Sequence, residues 1–441
     1  MEFIADKQTL NDLNILGKYK NNSLFFIFNQ VKTQGGEKLL NEYFLQPLTD
    51  PDAINKRSRS FSWFQRASLD FPFRIEEFES MENYLASGGD DTWISSLLDF
   101  TKRRTLKAMG LPATFDQLMD GVSVTIKVLK ELLEFLALLQ KDQDNPFYDE
   151  IEKITGSLLQ GSFPAILKKD GEMNSMGMVD LFKTDHLLRN AQYHQMNELL
   201  LFIYKLDLFL AVGTVGCRNN WTYAMALPAQ HYVLEIENFR HPAIAKAVGN
   251  SLVLDQNSNV LFLTGANMAG KSTLMKSFGI AVYLAHMGFP VPVQYMRFSV
   301  KSGIISSINV PDDLNKGFSH FYAEVLRVKQ VAQLVKDRHD ILVIFDELFK
   351  GTNVKDAYDA TLSVTKAFST FRHCNFIIST HIIEVGESLR KECVNMQFKY
   401  MPTVMEGNMP RYPYIMKEGI TADRHGMTII ENEKILEIML G

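Results

Sequence analysis

Cysteine is scarce in this 441-residue chain: Cys217, Cys374 and Cys393 are the only three, and no two stand in a CxxC spacing. An odd, scattered set excludes a disulfide framework and a thiolate zinc site and points to a reducing compartment. Excess positive charge is also missing, since 46 Lys and Arg against 51 Asp and Glu give a net charge of −5. Overall charge therefore announces no nucleic-acid partner, and any surface for one must be a local patch. The N-terminus, MEFIADKQTLNDL, has neither a basic stretch nor an apolar core, so no signal peptide is expected and the protein is read as cytoplasmic. The most membrane-like run, LLLFIYKLDLFLAVGTVG (199–216), carries Lys205 and Asp207 near its middle. Both are costly in lipid, so it reads as a buried helix and no membrane partner is expected. Sequence repeats and low-complexity tracts are absent too.

What is present is an ordinary globular composition, 46% hydrophobic and 22% charged, in a length that suits two to four domains. From about Gly36 to Arg218 the pattern is mostly helical. In KVLKELLEFLALLQK (127–141), Val128, Leu129, Leu132, Leu133, Leu136 and Leu139 recur at three and four residues. A long helix is predicted to start near Asp185 as its N-cap. The Gly, Pro, Ser and Asn content of residues 145–178 predicts turns and loops there. Near Trp221 the character changes. Short apolar runs, HYVLEIEN (231–238), NVLFLT (259–264), ILVIFD (341–346) and NFIIST (375–380), alternate with helical stretches. That alternation predicts a mainly parallel sheet covered by helices, with a domain boundary at about 222.

The segment Gly265-Ala266-Asn267-Met268-Ala269-Gly270-Lys271-Ser272-Thr273 fits G-x-x-x-x-G-K-[ST] between a strand and an apolar helix. Glycines let the backbone turn its N–H groups toward phosphate oxygens, and the helix N-terminus adds its dipole. Lys271 would reach the β- and γ-phosphates of ATP, and the Ser272 hydroxyl would ligate Mg²⁺. At the end of the strand ILVIF stand Asp346 and Glu347, at the edge where open parallel sheets bind ligands. Asp346 would hold Mg²⁺ through water, and Glu347 would orient the attacking water as general base. His381, directly after NFIIST, would sense the γ-phosphate or help place that water. Between these motifs, Val325, Val328, Ala332 and Val335 are predicted on one helical face. Gly317 and Ser319 stand at the start of that helix, a phosphate-facing position. One phosphate loop does not readily use two helix N-termini of its own chain, so Gly317 and Ser319 are expected to serve ATP bound by a second subunit.

These residues resemble the MutS family of DNA mismatch-repair ATPases. TGANMAGKST is similar to the family's TGPNMGGKST, including Asn267 and Met268. DDLNKGFSHFYAEV resembles DDL..G.STF..EM, retaining Asp312, Asp313, Leu314, Gly317, Ser319, Phe321 and Glu324. FDELFKGTNVKDA resembles DE.GRGTS..DG, STHIIEV resembles ATH..EL, and FRHPAI (239–244) resembles GRHP, which places His241 beside the nucleotide base. More weakly, the first half is similar to the family's core and lever helices. The resemblance implies an all-α core and lever domain over 1–221, followed by a P-loop NTPase domain of the ABC type over 222–441. Ala266, Ala269, Phe318, His320, Phe349 and Lys350 depart from the family's pattern.

The function implied is an ATPase, using ATP and Mg²⁺, whose composite dimer site controls engagement of mismatched, branched or otherwise distorted DNA in mismatch repair or damage sensing. The partner subunit would be a second copy or a related chain. The family's mismatch reader is an N-terminal domain with a Phe-x-Glu wedge, and the core-like region here starts near residue 10. Recognition of DNA shape, or a supporting role beside a full-length relative, is therefore expected. Two basic clusters are candidate phosphate contacts: NKRSR (55–59), with Lys56, Arg57 and Arg59 around Ser58, and TKRR (101–104), with Lys102, Arg103 and Arg104. The alternative is an ATP switch that binds proteins and never touches DNA.

Overall fold

The computed structural model describes residues 2–17, 22–88, 92–109, 113–168, 177–308, 320–337, 339–406, 409–421 and 438–439. The first helices are α1 (Lys7–Asp12), α2 (Leu24–Phe28), α3 (Gln34–Leu45), α4 (Pro51–Ala67), α5 (Ile75–Ala86) and α6 (Trp93–Ala108). Then come α7 (Ala113–Leu139), α8 (Tyr148–Leu159), α9 (Phe163–Leu167), α10 (Met178–His186) and α11 (Tyr193–Asn219). The chain divides into two compact units. One is helical and comprises Gln30–Asn41 and Arg59–Thr214; the other comprises Met1–Asn29, Glu42–Ser58 and Val215–Gly441. The second unit resumes at Val215, close to the division expected at 222, and it also includes two N-terminal segments that the linear reading placed with the helices.

In the helical unit, α7 buries Val128, Leu129, Leu132, Leu136 and Leu139, the stripe expected from its spacing, with Leu133 half-buried. Phe209 of α11 stacks on Phe61 at 4.2 Å and meets Phe147 edge-on at 4.7 Å. Helix α11 is long and apolar, with a mean hydropathy of 1.8, and 78% of that window is buried. Asp207 sits inside it, accepting hydrogen bonds from the N–H groups of Lys32 and Thr33 and from the Thr33 hydroxyl. A satisfied carboxylate of this kind belongs to a protein core.

Two expectations fail in this unit. Asp185 is not an N-cap: it lies in α10, which leads into a π-helical turn at Leu187–Ala191 before α11. Its carboxylate faces inward, bonded to Arg189 and Tyr84. Residues 145–178 are also more than turns. There α8 buries Ile151, Ile154 and Leu158 at helical spacing, and α9 carries Pro164 in its first turn, where a missing N–H costs nothing.

The second unit holds β1 (Met225–Leu227), β2 (Leu234–Phe239), β3 (Asn250–Leu254), β4 (Val260–Gly265), α12 (Lys271–Met287), β5 (Tyr295–Ser299), β6 (Gly303–Ser307) and α13 (His320–Lys336). It continues through β7 (Ile341–Phe345), α14 (Val354–Ser369), β8 (Asn375–Ser379), α15 (Ile383–Glu392), β9 (Met396–Met401), β10 (Val404–Glu406), β11 (Met409–Arg411) and β12 (Lys417–Glu418). The main sheet has the order β12-β9-β4-β8-β7-β6, parallel except for β12. Strands β4, β7 and β8 are buried throughout, as continuous apolar runs covered on both faces must be. A second, mixed sheet has the order β1-β5-β2-β3. In α13 the inward stripe differs from the expected one. Val331 and Val335 are buried and Val325 and Val328 half-buried, whereas Ala332 is exposed. Glu324 and Arg327 complete the buried side, so polar positions hid its phase.

Candidate active site

Parallel pairing of β4 with β8, and of β8 with β7, brings three C-terminal strand ends side by side. The loop after β4 needs its glycines. Gly265 (φ +147°) and Gly270 (φ +98°) occupy backbone conformations that disfavour a side chain. A Cβ on Gly265 would come within 2.8 Å of the Met401 carbonyl, and one on Gly270 within 2.9 Å of the Tyr414 ring. Between them Met268 is also left-handed (φ +67°) and 77% exposed, while Ala269 is buried and Asn267 exposed. Lys271 begins α12, and its buried ammonium donates to the carbonyls of Gly265 (2.8 Å) and Ala266 (3.2 Å). Burial lowers its pKa, and the carboxylates of Asp346 and Glu347 oppose that shift. Ser272 and Thr273 are exposed at the same helix end.

Ser272 donates to Asp346 Oδ2, while Ser379 donates to Asp346 Oδ1 at 2.5 Å. Glu347 is left-handed (φ +53°), which turns its side chain away from the strand direction, and its N–H is held by Ser379 Oγ at 3.1 Å. His381 Nε2 lies 2.5 Å from Glu347 Oε1, and Lys350 Nζ lies 3.4 Å from Oε2. The His381 hydrogen bond is the main reason that the Glu347 carboxyl is held down at about 2, despite partial burial. Such a carboxylate is charged at any physiological pH and is a weak proton acceptor. As held here it is suited to orient and polarise water more than to take its proton, and its strength as a base rises when His381 lets go.

Beside the loop lies a cavity of about 310 Å³, lined among others by Phe239, His241, Ile244, Leu274, Met401 and Tyr414. His241 is half-buried, and burial with the nearby Lys276 charge lowers its pKa, favouring the neutral ring. The walls suit a flat aromatic group next to an anion site. The loop, whose glycines leave room for an anion's close approach, and this cavity fit a nucleoside triphosphate. The Ser272 hydroxyl and Asp346 carboxylate are the hard oxygen donors that Mg²⁺ takes. Among the described residues there is no group of three or more His, Cys, Asp or Glu that could hold a metal.

Two family models match this chain: one described as MutS domain III matches residues 8–201, and one described as MutS domain V matches residues 261–439. The chain belongs to the MutS family. The DNA mismatch repair protein MutS of Petrotoga mobilis is 22% identical over 519 residues, covering 96% of this chain and 62% of the relative. MutS of Listeria monocytogenes serotype 4b is 29% identical over 59% of this chain and 31% of its own length. MutS of Carboxydothermus hydrogenoformans is 35% identical over 45% of this chain and 26% of the relative. The MutS-family chain thus spans less than two thirds of these relatives.

Gly317 and Ser319 lie outside the described residues. The basic clusters fare unequally. Arg57 is partly engaged within the protein: its guanidinium donates to the Met287 carbonyl (3.2 Å) and covers the Tyr43 ring at 4.2 Å. Arg103 pairs with Asp99 at 2.8 Å, whereas Lys56, Arg59, Lys102 and Arg104 are exposed. Ser58, between two of these cations, is buried and donates to the Gly288 carbonyl. Sequence reasoning missed Ser379, Tyr414 and the contact of Lys350 with Glu347. Ser379 is brought to the site by strand order and Tyr414 by a distant loop, which no local motif records, whereas Lys350 stands only three positions after Glu347.

Proposed function

We propose that this chain is an ATPase of the ABC type, and that two copies, or this chain and a related subunit, sandwich ATP and Mg²⁺ at composite sites. The carrying observation is the convergence at one sheet edge of the Ser272–Asp346 contact and the Glu347–His381 pair, beside the loop that buries Lys271. Lys271 neutralises β- and γ-phosphate charge from within the loop, and the α12 N-terminus adds its N–H groups. Ser272 and Asp346 would hold Mg²⁺, which supplies charge neutralisation across the phosphate oxygens. Glu347 aligns water for in-line attack, with His381 fixing the carboxylate and Lys350 balancing its charge. The adenine would lie in the cavity against His241 and Tyr414. Gly317 and Ser319 would complete the partner's site, so that ATP closes the dimer and hydrolysis opens it.

The names of the relatives, DNA mismatch repair proteins, support a role on mismatched or otherwise distorted DNA, with the helical unit as the DNA-engaging part. The commitments of Arg57 and Arg103 within the protein favour a second reading, an ATP switch that docks proteins only. Titration with duplex, mismatched and branched DNA at several salt concentrations separates the two. The first reading predicts binding that weakens steeply with salt; no binding at low salt leaves the second. ATP turnover by wild type and Lys271→Ala tests the ATPase itself, and equal turnover by both would reject this site.

A further inference from the structure

We propose that α1 is a positioning element for the ATP site, with Asp12 as the residue that fixes the strand end from which Asp346 takes its place. The inference rests on the proposed ATPase reading. Strand β6 is the edge of the main sheet, and the N-terminal segment covers it. Ile4 N–H donates to the Ser302 carbonyl and the Ile4 carbonyl accepts from Ile304, both at 2.8 Å. Further along, the side chains of α1 take over from the backbone. Thr9 Oγ1 accepts from Ser306 N at 3.0 Å, and Asp12 Oδ2 accepts from Ser306 Oγ at 2.8 Å and from Ile308 N at 2.9 Å. Thr9 and Asp12 are both buried.

The residue between these two anchors faces the other way. Ser307 pairs with Phe345, and its carbonyl accepts from Asp346 N at 3.0 Å. This alternation is the ordinary period of a strand, so Ser306 and Ile308 are held by α1 while Ser307 holds the backbone N–H of Asp346. Arg327 of α13 locks the arrangement. Its Nη2 donates to the Ser306 carbonyl (2.6 Å) and to Asp6 Oδ1 (3.0 Å), and its Nη1 meets Asp6 Oδ2. Asp6 in turn caps α1 by accepting from Thr9 N at 2.9 Å. With Asp12 removed, Ser306 Oγ and Ile308 N lose their buried acceptor, and the end of β6 is free to shift. Asp346 then loses its register against Ser272, the residue with which it would hold Mg²⁺.

The test is steady-state ATP turnover by the full chain, with Mg²⁺ titrated, for wild type, Asp12→Ala, Asp12→Asn and Thr9→Val. Asp12→Ala is expected to lower kcat about tenfold or more with KM for ATP nearly unchanged, because misplacement of reacting groups costs rate more than binding. It should also raise the Mg²⁺ concentration for half-maximal rate. Asp12→Asn keeps one acceptor oxygen and should restore most of kcat, and Thr9→Val, nearly isosteric, should show a smaller fall of the same kind. If Asp12→Ala does not fold, Thr9→Val decides by the same split of kcat against KM. Asp12→Ala or Thr9→Val melting earlier but keeping wild-type kcat and Mg²⁺ dependence would overturn the inference. A wild type that hydrolyses no ATP would instead reject the ATPase reading on which it rests.

Discussion

His381 Nε2 stands 2.5 Å from Glu347 Oε1, joining two residues 34 positions apart through adjacent parallel strands. The contact makes His381 the partner that sets the charge and direction of the water-orienting carboxylate. His381→Ala should therefore lower ATP turnover by about 10²-fold, the scale of losing one positioned polar group. Nucleotide affinity should stay near wild type, since the loop and cavity are untouched. Single-turnover kinetics with a separate binding titration checks both halves.

Gly270 is a loop residue with little room to change. Its φ of +98° opposes any side chain, and a Cβ there would lie 2.9 Å from the Tyr414 ring. Gly270→Ala should cost about 1–3 kcal/mol of stability and weaken nucleotide binding together. Thermal unfolding with and without ATP reads this as a lower melting temperature and a smaller stabilisation by nucleotide.

The phosphate loop and the carboxylate strand were legible because their signals are local. Glycines at fixed spacing and runs such as Ile341–Phe345 need only neighbours in sequence to declare themselves. Asp185 misled because an Asp before an apolar run is a cap signal, yet tertiary burial beside Arg189 and Tyr84 outweighed that local preference. Ala332 misled because the true stripe of α13 includes the polar residues Glu324 and Arg327, the latter held by Asp6, far away in sequence. The union of α1 with β6 left no periodic trace at all.

Burial makes His286 a source of pH-dependent stability. Its Nδ1 meets the Leu48 carbonyl at 2.7 Å and its Nε2 accepts from Lys301 N at 3.3 Å, so the neutral ring with Nδ1–H satisfies both. Burial holds its pKa at about 4, below the ordinary 6.5. The unfolded chain takes up this proton below about pH 6.5 and the folded protein only below about 4, so stability falls as pH drops across that window. The loss should approach about 3 kcal/mol. His286→Asn, which keeps a donor toward Leu48, should flatten the slope between pH 6.5 and 4 while lowering stability at neutral pH. Denaturant unfolding at a series of pH values measures it.

In the helical unit, Asp185 and Arg189 form a bidentate pair with both bonds at 2.7 Å, and the side chains are 1% and 7% exposed. Arg189→Leu strands a buried carboxylate and should cost about 3–5 kcal/mol. The double variant Asp185→Leu/Arg189→Leu removes both charges and should be more stable than Arg189→Leu alone. Urea unfolding of the two variants beside wild type gives the order.

If each ATP is completed by two subunits, mixing two inactive variants restores activity. Lys271→Ala lacks its own phosphate lysine, and Ser319→Ala lacks the residue offered to its partner. In a mixed dimer, the Ser319→Ala chain keeps Lys271 and receives Ser319 from the other, so one whole site forms. The account predicts ATP turnover in the mixture well above the sum of the two variants assayed apart. Turnover equal to that sum, with mixed dimers present by mass, would contradict it.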